Sequence, residues 1–406
     1  MFQERFKIMN EIIQIAPEVY WLGAKHPQLR VFDELFPTGN GSTYNAYLVK
    51  GKDKTALIDT VKRSFTEGYL DRVAALVPLD KIDLLVVNHT EPDHSGALGE
   101  LLKRNPNIEI YCSKAAENFL RQIHDVPMKT HAVSEGQEID LGGKTLRFIL
   151  APYLHWPDTI FTLLPEEKIL FSCDAFGAHY CPEKLYDDES PDFSGDFTSY
   201  FDVIMRPFKD KIREALAKVE HLDLRMICPS HGPLLRRDPR AVIAAYKSLA
   251  AAPPEDGKKH ALILSHSPHG NTRNMGAAVR RGLESRGVAV SEMAMYGAEA
   301  EKIRDALEWA DALVVATPTI NRDAPPPVWQ ALALISTVTP KGRIGAVLGS
   351  YGWSGEAVKL VEERLLGLKY TLAAPGLHYR FTPGVEDIAA CVQMGEQVAA
   401  ALLGDK

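Results

Sequence analysis

Hydrophobic and polar positions divide the chain into two regions with different patterns. From residue 259 onward, apolar runs typical of buried strands alternate with stretches of helical periodicity. The predicted order is strand Ala261 to Leu264, helix Asn274 to Ser285, strand Val288 to Met295, helix Glu301 to Glu308, strand Leu313 to Ala316, helix Val328 to Ser336, strand Ile344 to Leu348 and helix Glu356 to Leu365. This repetition predicts an α/β fold with a doubly wound parallel sheet.

The first 250 residues alternate less regularly. Short β-like runs occur at Val19 to Leu22, Thr43 to Val49 and Ala56 to Asp59, and strands and helices then follow to about Tyr246. A chain of 406 residues is too long for one ordinary core. Residues 251–258 are rich in Ala and Pro and have the composition of a linker. We therefore predict one domain at 1–250, a linker at 251–258 and a second domain at 259–406.

Charge and cysteine usage narrow the class of protein. The formal net charge of -7 argues against a nucleic-acid partner, and no apolar run approaches the length of a membrane span. The first residues, Met1 to Lys7, lack a signal-peptide core. Five scattered cysteines without a CxxC pair fit a reducing compartment and argue against a zinc ribbon. We expect a cytoplasmic protein without a nucleic-acid or membrane partner.

Four side chains that bind metals stand within six residues, at His89, Glu91, Asp93 and His94. They follow the apolar run Ile82 to Val87, a predicted buried strand, and precede a predicted helix start. In an extended loop the first three would point the same way. The adjacent Asp93 and His94 would then diverge, which favours two metals over one. Four ionisable groups beside a buried strand would be costly without a metal.

Three further candidates come at or just past the ends of strand-like runs, namely His155, Asp174 and His231. Taken singly, each has an ordinary explanation, as a core histidine or as a turn or capping residue. Imidazoles mixed with hard carboxylate donors suggest a redox metal rather than a structural zinc.

Three loops rich in Gly, Ser and Thr follow the first, third and fourth strands of the second domain. The first opens a helix, whose N-terminus favours a phosphate, and it lacks the GxxxxGK[ST] and GxGxxG patterns, so a mononucleotide is the better match. A strand order of 2-1-3-4-5 would bring these loops together, and Trp353 or Tyr351 could cover a flat ring system. Ordinary turns and a loop tryptophan packed on the domain are the alternative. The candidate residues are Ser265, Ser267, Pro268, His269, Gly270, Asn271, Thr272, Thr317, Pro318, Thr319, Ile320, Asn321, Ser350, Tyr351, Gly352, Trp353, Ser354 and Gly355.

These motifs in this order resemble the flavodiiron protein family, class A. The resemblance rests on Asn-His-Thr-Glu-Pro-Asp-His-Ser-Gly-Ala-Leu, Leu-His-Trp-Pro-Asp-Thr, Ser-Cys-Asp-Ala-Phe-Gly and Pro-Ser-His-Gly-Pro, followed by the flavodoxin-like region. It implies a metallo-β-lactamase-like αββα sandwich followed by a flavodoxin-like domain. Zinc hydrolases of this fold usually have His where Glu91 stands, so Glu91 favours the iron family. The resemblance assigns one iron to His89, Glu91 and His155, the other to Asp93, His94 and His231, and a bridging role to Asp174.

The resemblance also implies a function and partners. Electrons would pass from FMN to two non-haem irons, reducing dioxygen to water, nitric oxide to nitrous oxide, or both. A separate donor such as rubredoxin and a head-to-tail homodimer, or a dimer of dimers, are expected. The alternatives are a zinc hydrolase fused to a flavodoxin-like electron carrier, and a redox sensor or carrier without turnover. Outside the ligand set, His26 is the only candidate for an outer-shell histidine of the kind that the resemblance implies in this region, and a solvated loop histidine is the favoured alternative. Tyr200 either approaches the pocket or is an ordinary helix-face aromatic, and we favour the second interpretation.

Overall fold

The computed structural model describes residues 12–252, 256–336 and 342–404. The chain divides into two compact units, Met1–Ala252 and Pro253–Lys406. Residues 1–7, which are predicted to lack a signal-peptide core, and residues 253–255 of the predicted linker lie outside the described residues. The linker at 251–258 therefore stays a prediction.

Two mixed β-sheets form the centre of the first unit. In spatial order, the seven-stranded sheet contains Ile13–Ala16, Val19–Trp21, Tyr47–Lys50, Thr55–Ile58, Leu84–Val86, Glu109–Cys112 and Lys129–Ala132. The five-stranded sheet contains Glu138–Asp140, Thr145–Leu150, Ile160–Leu164, Ile169–Cys173 and Met226–Pro229. Two short strand pairs join Ala24–His26 to Ser42–Tyr44 and Val31–Phe32 to Phe36–Pro37.

Helices cover the outer faces of both sheets. The α-helices that follow the chain are Thr66–Leu76, Pro92–Ser95, Leu98–Arg104, Lys114–Ile123, Ser194–Tyr200, Lys209–Val219 and Pro239–Leu249. Buried side chains such as Tyr47, Phe148 and Phe171 fill the space between the two sheets. Separate apolar clusters lie between each sheet and its helices. This layering is the predicted αββα sandwich, and it places the ends of strands from both sheets along a common edge.

The second unit has one parallel sheet with the predicted strand order 2-1-3-4-5. Its strands, in spatial order, are Ala289–Ala294, His260–Ser265, Ala312–Ala316 and Ile344–Tyr351, followed by a fifth strand in two pieces, Thr371–Leu372 and Leu377–Arg380. Both pieces pair in parallel with the fourth strand, at its beginning and at its end.

Helices pack on both faces of this sheet, as a doubly wound fold requires. Apolar clusters place Asn271–Ser285 and Val385–Leu403 on one face, and Ala300–Trp309, Pro326–Ala333 and Ala357–Gly367 on the other. The first two helices approach closely at two glycines. A Cβ at Gly282 would lie 2.0 Å from the carbonyl oxygen of Val392, and one at Gly395 would lie 2.1 Å from that of Val279. No side chain would fit at either position.

Candidate functional site

The seven predicted metal ligands lie in one cluster at the edge of the αββα sandwich. His89 follows Leu84–Val86 of the first sheet, whereas Asp174 and His231 follow Ile169–Cys173 and Met226–Pro229 of the second. The last two strands are parallel neighbours, so their ends lie side by side. The sandwich therefore brings residues that are far apart in the sequence into one place.

The first group of side chains gathers around Glu91. Its Oε2 atom lies 3.2 Å from His89 Nε2 and 3.1 Å from His155 Nε2. Oδ2 of Asp174 lies 3.7 Å from each of the same two nitrogens.

The second group gathers around Asp93. Its Oδ1 lies 3.3 Å from His94 Nε2, and its Oδ2 lies 3.2 Å from His231 Nε2. Oδ1 of Asp174 lies 3.1 Å from His94 Nε2 and 3.3 Å from His231 Nε2. Asp174 thus faces one group with each oxygen, which is the arrangement that a carboxylate bridging two metals requires.

Buried polar atoms without partners indicate that this cluster fits cations. Neither oxygen of Asp93 and neither ring nitrogen of His94 has a hydrogen-bond partner, although both residues are buried. Polar atoms that make no hydrogen bond at such depth are costly. Two sets of nearly converging donors are also geometrically able to hold a metal ion, one with His89, Glu91, His94 and Asp174 and one with Asp93, His94 and His231. Imidazole and carboxylate donors suit iron.

The carboxylates alter the pKa values of the imidazoles. Burial alone would lower the pKa of His231, but Asp174 and Asp93 outweigh it and raise this pKa to about 10. Burial would likewise raise the pKa of Asp174, but His94 and His231 hold it well below its usual range. The raised pKa favours a proton on His231, which a divalent ion held by this imidazole would displace.

The local backbone at the ligand cluster differs from the extended loop that we predicted. A short helix, Pro92–Ser95, begins inside it, and the amides of His94 and Ser95 both donate to the carbonyl of Glu91 at 2.9 Å. Proline is well suited to the first position of a helix. As a result Glu91 and Asp93 face different groups, and the adjacent Asp93 and His94 converge instead of diverging.

Other groups hold the predicted ligands in place. Asp158 accepts from His89 Nδ1 at 3.1 Å, and the carbonyl of Thr43 accepts from His231 Nδ1 at 2.7 Å. These contacts leave each Nε2 facing the metal position. The hydroxyl of Tyr200 donates to Asp174 Oδ1 at 3.2 Å, so the interpretation of Tyr200 as an ordinary helix-face aromatic is wrong.

His26 is not a solvated loop residue either. It ends the strand Ala24–His26, its Nδ1 lies 3.5 Å from the Tyr44 hydroxyl, and its ring packs edge-on against Phe65 at 5.3 Å. Burial lowers its pKa, and Lys62 adds to that effect. The Tyr44 ring in turn contacts the ring of His231 at 5.8 Å.

The three predicted flavin loops meet at the ends of the parallel strands in the second unit. Thr272 Oγ1 lies 2.9 Å from Ser350 Oγ, and the amide of Thr319 donates to the carbonyl of Ser350 at 3.2 Å. Gly270, with φ of 86°, precedes the helix Asn271–Ser285, and the Arg273 amide in its first turn donates to Ser267 Oγ at 3.1 Å. A hydroxyl-rich loop held in this way around a helix N-terminus fits a phosphate group.

Space and aromatic surface lie beside the same loops. A cavity of about 390 Å³ adjoins the first loop and is lined by Ser265, His266, Ser267, Pro268, Arg273, Ala294 and Tyr296. Trp353 of the third loop is 70% exposed and Ile320 of the second is 41% exposed. Trp353 is therefore mostly exposed, with the Arg322 guanidinium 5.8 Å from the centre of its ring.

Comparison with known proteins supports the fold of both units. Residues 43–232 match the family model described as ODP family beta lactamase, and residues 263–395 match flavodoxin. The type A flavoprotein fprA of Rhodobacter capsulatus is 41% identical over 97% of this chain and 92% of its own. A solved flavodiiron protein from Giardia intestinalis is 30% identical, with a TM-score of 0.64 over 97% of each chain. The chain belongs to the flavodiiron protein family.

Two further relatives of this flavodiiron protein have names that state an activity. The nitric oxide reductase of Moorella thermoacetica is 35% identical over 97% of this chain and 99% of its own. The rubredoxin oxygen:oxidoreductase of Desulfovibrio gigas is 27% identical, with a TM-score of 0.67 over 97% of this chain and 99% of its own. Among the described residues, none of the helices has the length and apolar character that a membrane span needs.

Sequence reasoning missed Asp158 and His179 of this flavodiiron protein. His179 is buried, its Nδ1 lies 3.1 Å from Ser42 Oγ, and its ring packs against those of Phe32 and His231. Burial lowers its pKa to about 2, and His231 adds to the effect, so this imidazole is neutral. Asp158 stands in the quoted Leu-His-Trp-Pro-Asp-Thr motif, which was the available signal, whereas a single His after Gly-Ala has no such signal.

Proposed function

We propose that this chain is a flavodiiron oxidoreductase that passes electrons from FMN to two irons and reduces dioxygen to water, nitric oxide to nitrous oxide, or both. The observation that supports this most is the position of Asp174 between two similar groups of imidazoles and carboxylates. The activities named for relatives in Moorella thermoacetica and Desulfovibrio gigas, nitric oxide and oxygen reduction, agree with it.

We propose that His89, Glu91 and His155 hold one iron, that Asp93, His94 and His231 hold the other, and that Asp174 bridges them. Bound iron supplies one-electron chemistry and a place for a diatomic gas to bind. Three carboxylates offset most of the charge of two ferrous ions. The Tyr200 hydroxyl donates to Asp174, and the rings of Phe32 and Trp156 pack against those of His231 and His89.

We propose that the loops at 265–272, 317–321 and 350–355 bind FMN. The phosphate would lie at Ser267 and the helix N-terminus at Asn271 and Thr272, where amides and hydroxyls converge. Trp353 would lie along the flavin ring. FMN holds two electrons and each iron one, so the bound cofactors store the four that dioxygen needs to become two waters.

Apolar side chains exposed beside both sites support a head-to-tail homodimer, or a dimer of dimers. Val31 (47%), Leu35 (68%) and Tyr153 (41%) are exposed in the first unit, the first two on the hairpin of Val31–Phe32 and Phe36–Pro37 and the third two residues before His155. Trp353 and Phe381 (60%) are exposed on the flavin loops and next to them in the second. Patches of this kind mark interaction surfaces. Light scattering should give a mass of twice or four times 44.9 kDa, and a monomer would contradict the proposal.

A separate small electron donor of the rubredoxin type is proposed from the names of relatives. The cytoplasm is proposed as the compartment because the cysteines are unpaired.

Metal and flavin analysis separates this function from its main alternative. The reductase should contain two irons and one FMN per chain and, once reduced, should consume nitric oxide or dioxygen. Two zincs, with no consumption of either gas, would favour the hydrolase fused to an electron carrier. Iron and FMN without gas consumption would favour a sensor or carrier.

A further inference from the structure

The two metal positions are surrounded by the same kinds of side chain. Each has two imidazoles, one carboxylate of its own and one oxygen of Asp174. For the first position these are His89, His155 and Glu91, and for the second they are His94, His231 and Asp93. These side chains alone do not make one position more electron-rich than the other. Any difference has to come from residues that contact the proposed ligands from outside the cluster.

Asp158 is such a group, and it lies behind the first position only. Its side chain is fully buried, and its Oδ2 lies 3.1 Å from His89 Nδ1. The same oxygen accepts from the Thr90 amide and the Thr90 hydroxyl, both at 2.8 Å. Its Oδ1 has no hydrogen-bond partner. The carboxylate therefore concentrates its hydrogen bonds on the oxygen that faces His89.

The second position has no equivalent among the described residues. His231 Nδ1 donates to the carbonyl of Thr43, which is neutral, and His94 Nδ1 has no hydrogen-bond partner. A second buried carboxylate, Asp59, lies nearby, but its oxygens accept from the amide and side chain of Asn88. Its charge acts on His94 more strongly than on His89, but its hydrogen bonds go to Asn88, so it does not hold either imidazole as Asp158 holds His89.

We propose that Asp158 is a positioning residue that makes the two metal positions unequal. It holds His89 with the proton on Nδ1 and places a buried negative charge behind that imidazole. The position of His89, Glu91 and His155 consequently binds a divalent ion more tightly, and its iron gives up an electron first. A carboxylate behind an imidazole ligand makes the imidazole a stronger donor, and changes to such groups typically cost about 10–100-fold in metal affinity.

The inference rests on the proposed diiron function, and Asp158→Asn tests it. An asparagine oxygen can keep the three contacts of Oδ2, while the new amide group takes the place of Oδ1. The variant thus removes the charge and retains the shape. Thr90→Val is the matched control, because it removes one hydrogen bond to Asp158 and leaves the charge.

Titration of the metal-free full-length protein with cobalt(II) measures the two affinities separately. We expect Asp158→Asn to weaken one of the two binding events by about 10–100-fold. Thr90→Val should change neither event by more than a few-fold. Equal weakening of both events, or no change in either, would overturn the inference.

The affected position is identified by combining Asp158→Asn with the loss of a ligand. In a His155→Ala background the first position is already disabled, so Asp158→Asn should leave the remaining event unchanged. In a His231→Ala background the remaining event should weaken as it does in the otherwise native chain. The opposite pattern would place the effect of Asp158 at the second position and refute the assignment.

The iron-loaded protein gives a readout that a merely structural role would not move. A mediator that accepts one electron from the diferrous pair leaves one ferrous and one ferric ion. The midpoint potential of this step should rise in Asp158→Asn, by about 59 mV for each tenfold loss of preference for the ferric ion. An unchanged potential would contradict the proposal. Failure of the native protein to bind two metals would instead refute the proposed function itself.

Discussion

At the scale of single residues, the metal-binding side chains could be predicted from the sequence. The residues that contact and position them could not. His89, Glu91, Asp93 and His94 stand together in the sequence, and their crowding beside a buried strand indicates a metal. Asp158 contacts His89 across 69 positions, and His179 contacts Ser42 across 137. Asp158 stands in the quoted Leu-His-Trp-Pro-Asp-Thr motif, but a lone His such as His179 looks like an ordinary polar residue. The partners that these two residues contact become visible only in the fold.

Asp174→Ala should abolish iron binding at both positions and leave FMN bound. The reason is that each oxygen of Asp174 faces a different group of ligands, whereas the flavin loops belong to the other unit. Iron analysis and the flavin absorbance spectrum check this. Tyr200→Phe is the control, since it removes only the hydroxyl that donates to Asp174, and it should keep both irons. Normal iron content in Asp174→Ala would refute the bridging role.

At the scale of elements, the second unit followed the sequence pattern more closely than the ligand loop did. Its four predicted strands and four predicted helices all form, with ends shifted by a few residues. The loop at residues 89–94 was predicted to be extended, but Pro92 starts a helical turn there. A turn of four residues is too short to give a helical period in the sequence, so only the proline could have indicated it.

Gly96→Ala should destabilise this turn and reduce iron content. A Cβ at Gly96 would lie 2.5 Å from both the Arg63 amide nitrogen and the Pro92 carbonyl oxygen, so the backbone that holds Asp93 and His94 would have to move. Overpacking of this kind costs about 1–3 kcal/mol. Thermal melts and iron analysis measure the two effects.

Gly99→Ala is the matched control for that variant. Its Cβ would meet only the His124 ring, at 3.7 Å, and it lies inside the helix Leu98–Arg104. Alanine should raise the free energy of unfolding by about 0.4–1 kcal/mol there and leave the iron in place. The structural account of the turn fails if the two alanine variants behave alike.

At the scale of the whole molecule, the two halves were predictable to different degrees. Regular βα alternation is local, so the second unit and its strand order follow from the pattern and from general rules of parallel sheets. The first unit combines antiparallel and parallel pairs between distant strands. Its sandwich was therefore expected from the family resemblance rather than from periodicity.

The division into two units predicts that cofactor loss can be confined to one of them. Gly349→Ala should weaken FMN binding and keep both irons, because a Cβ there would lie 2.1 Å from the Thr317 carbonyl oxygen and would force two flavin loops apart. Gly367→Ala, in the same unit, meets nothing within 4 Å and should retain FMN. Loss of iron from Gly349→Ala would show that the units depend on each other.

Stopped-flow oxidation of the pre-reduced protein tests the central claim most directly. The native protein and Asp174→Ala, both with reduced FMN, are mixed anaerobically with nitric oxide and, separately, with dioxygen, and flavin absorbance is followed. Electron transfer through the diiron site predicts rapid flavin reoxidation by at least one gas in the native protein and a much slower reaction in Asp174→Ala. Equal rates in the two proteins with both gases would contradict the account.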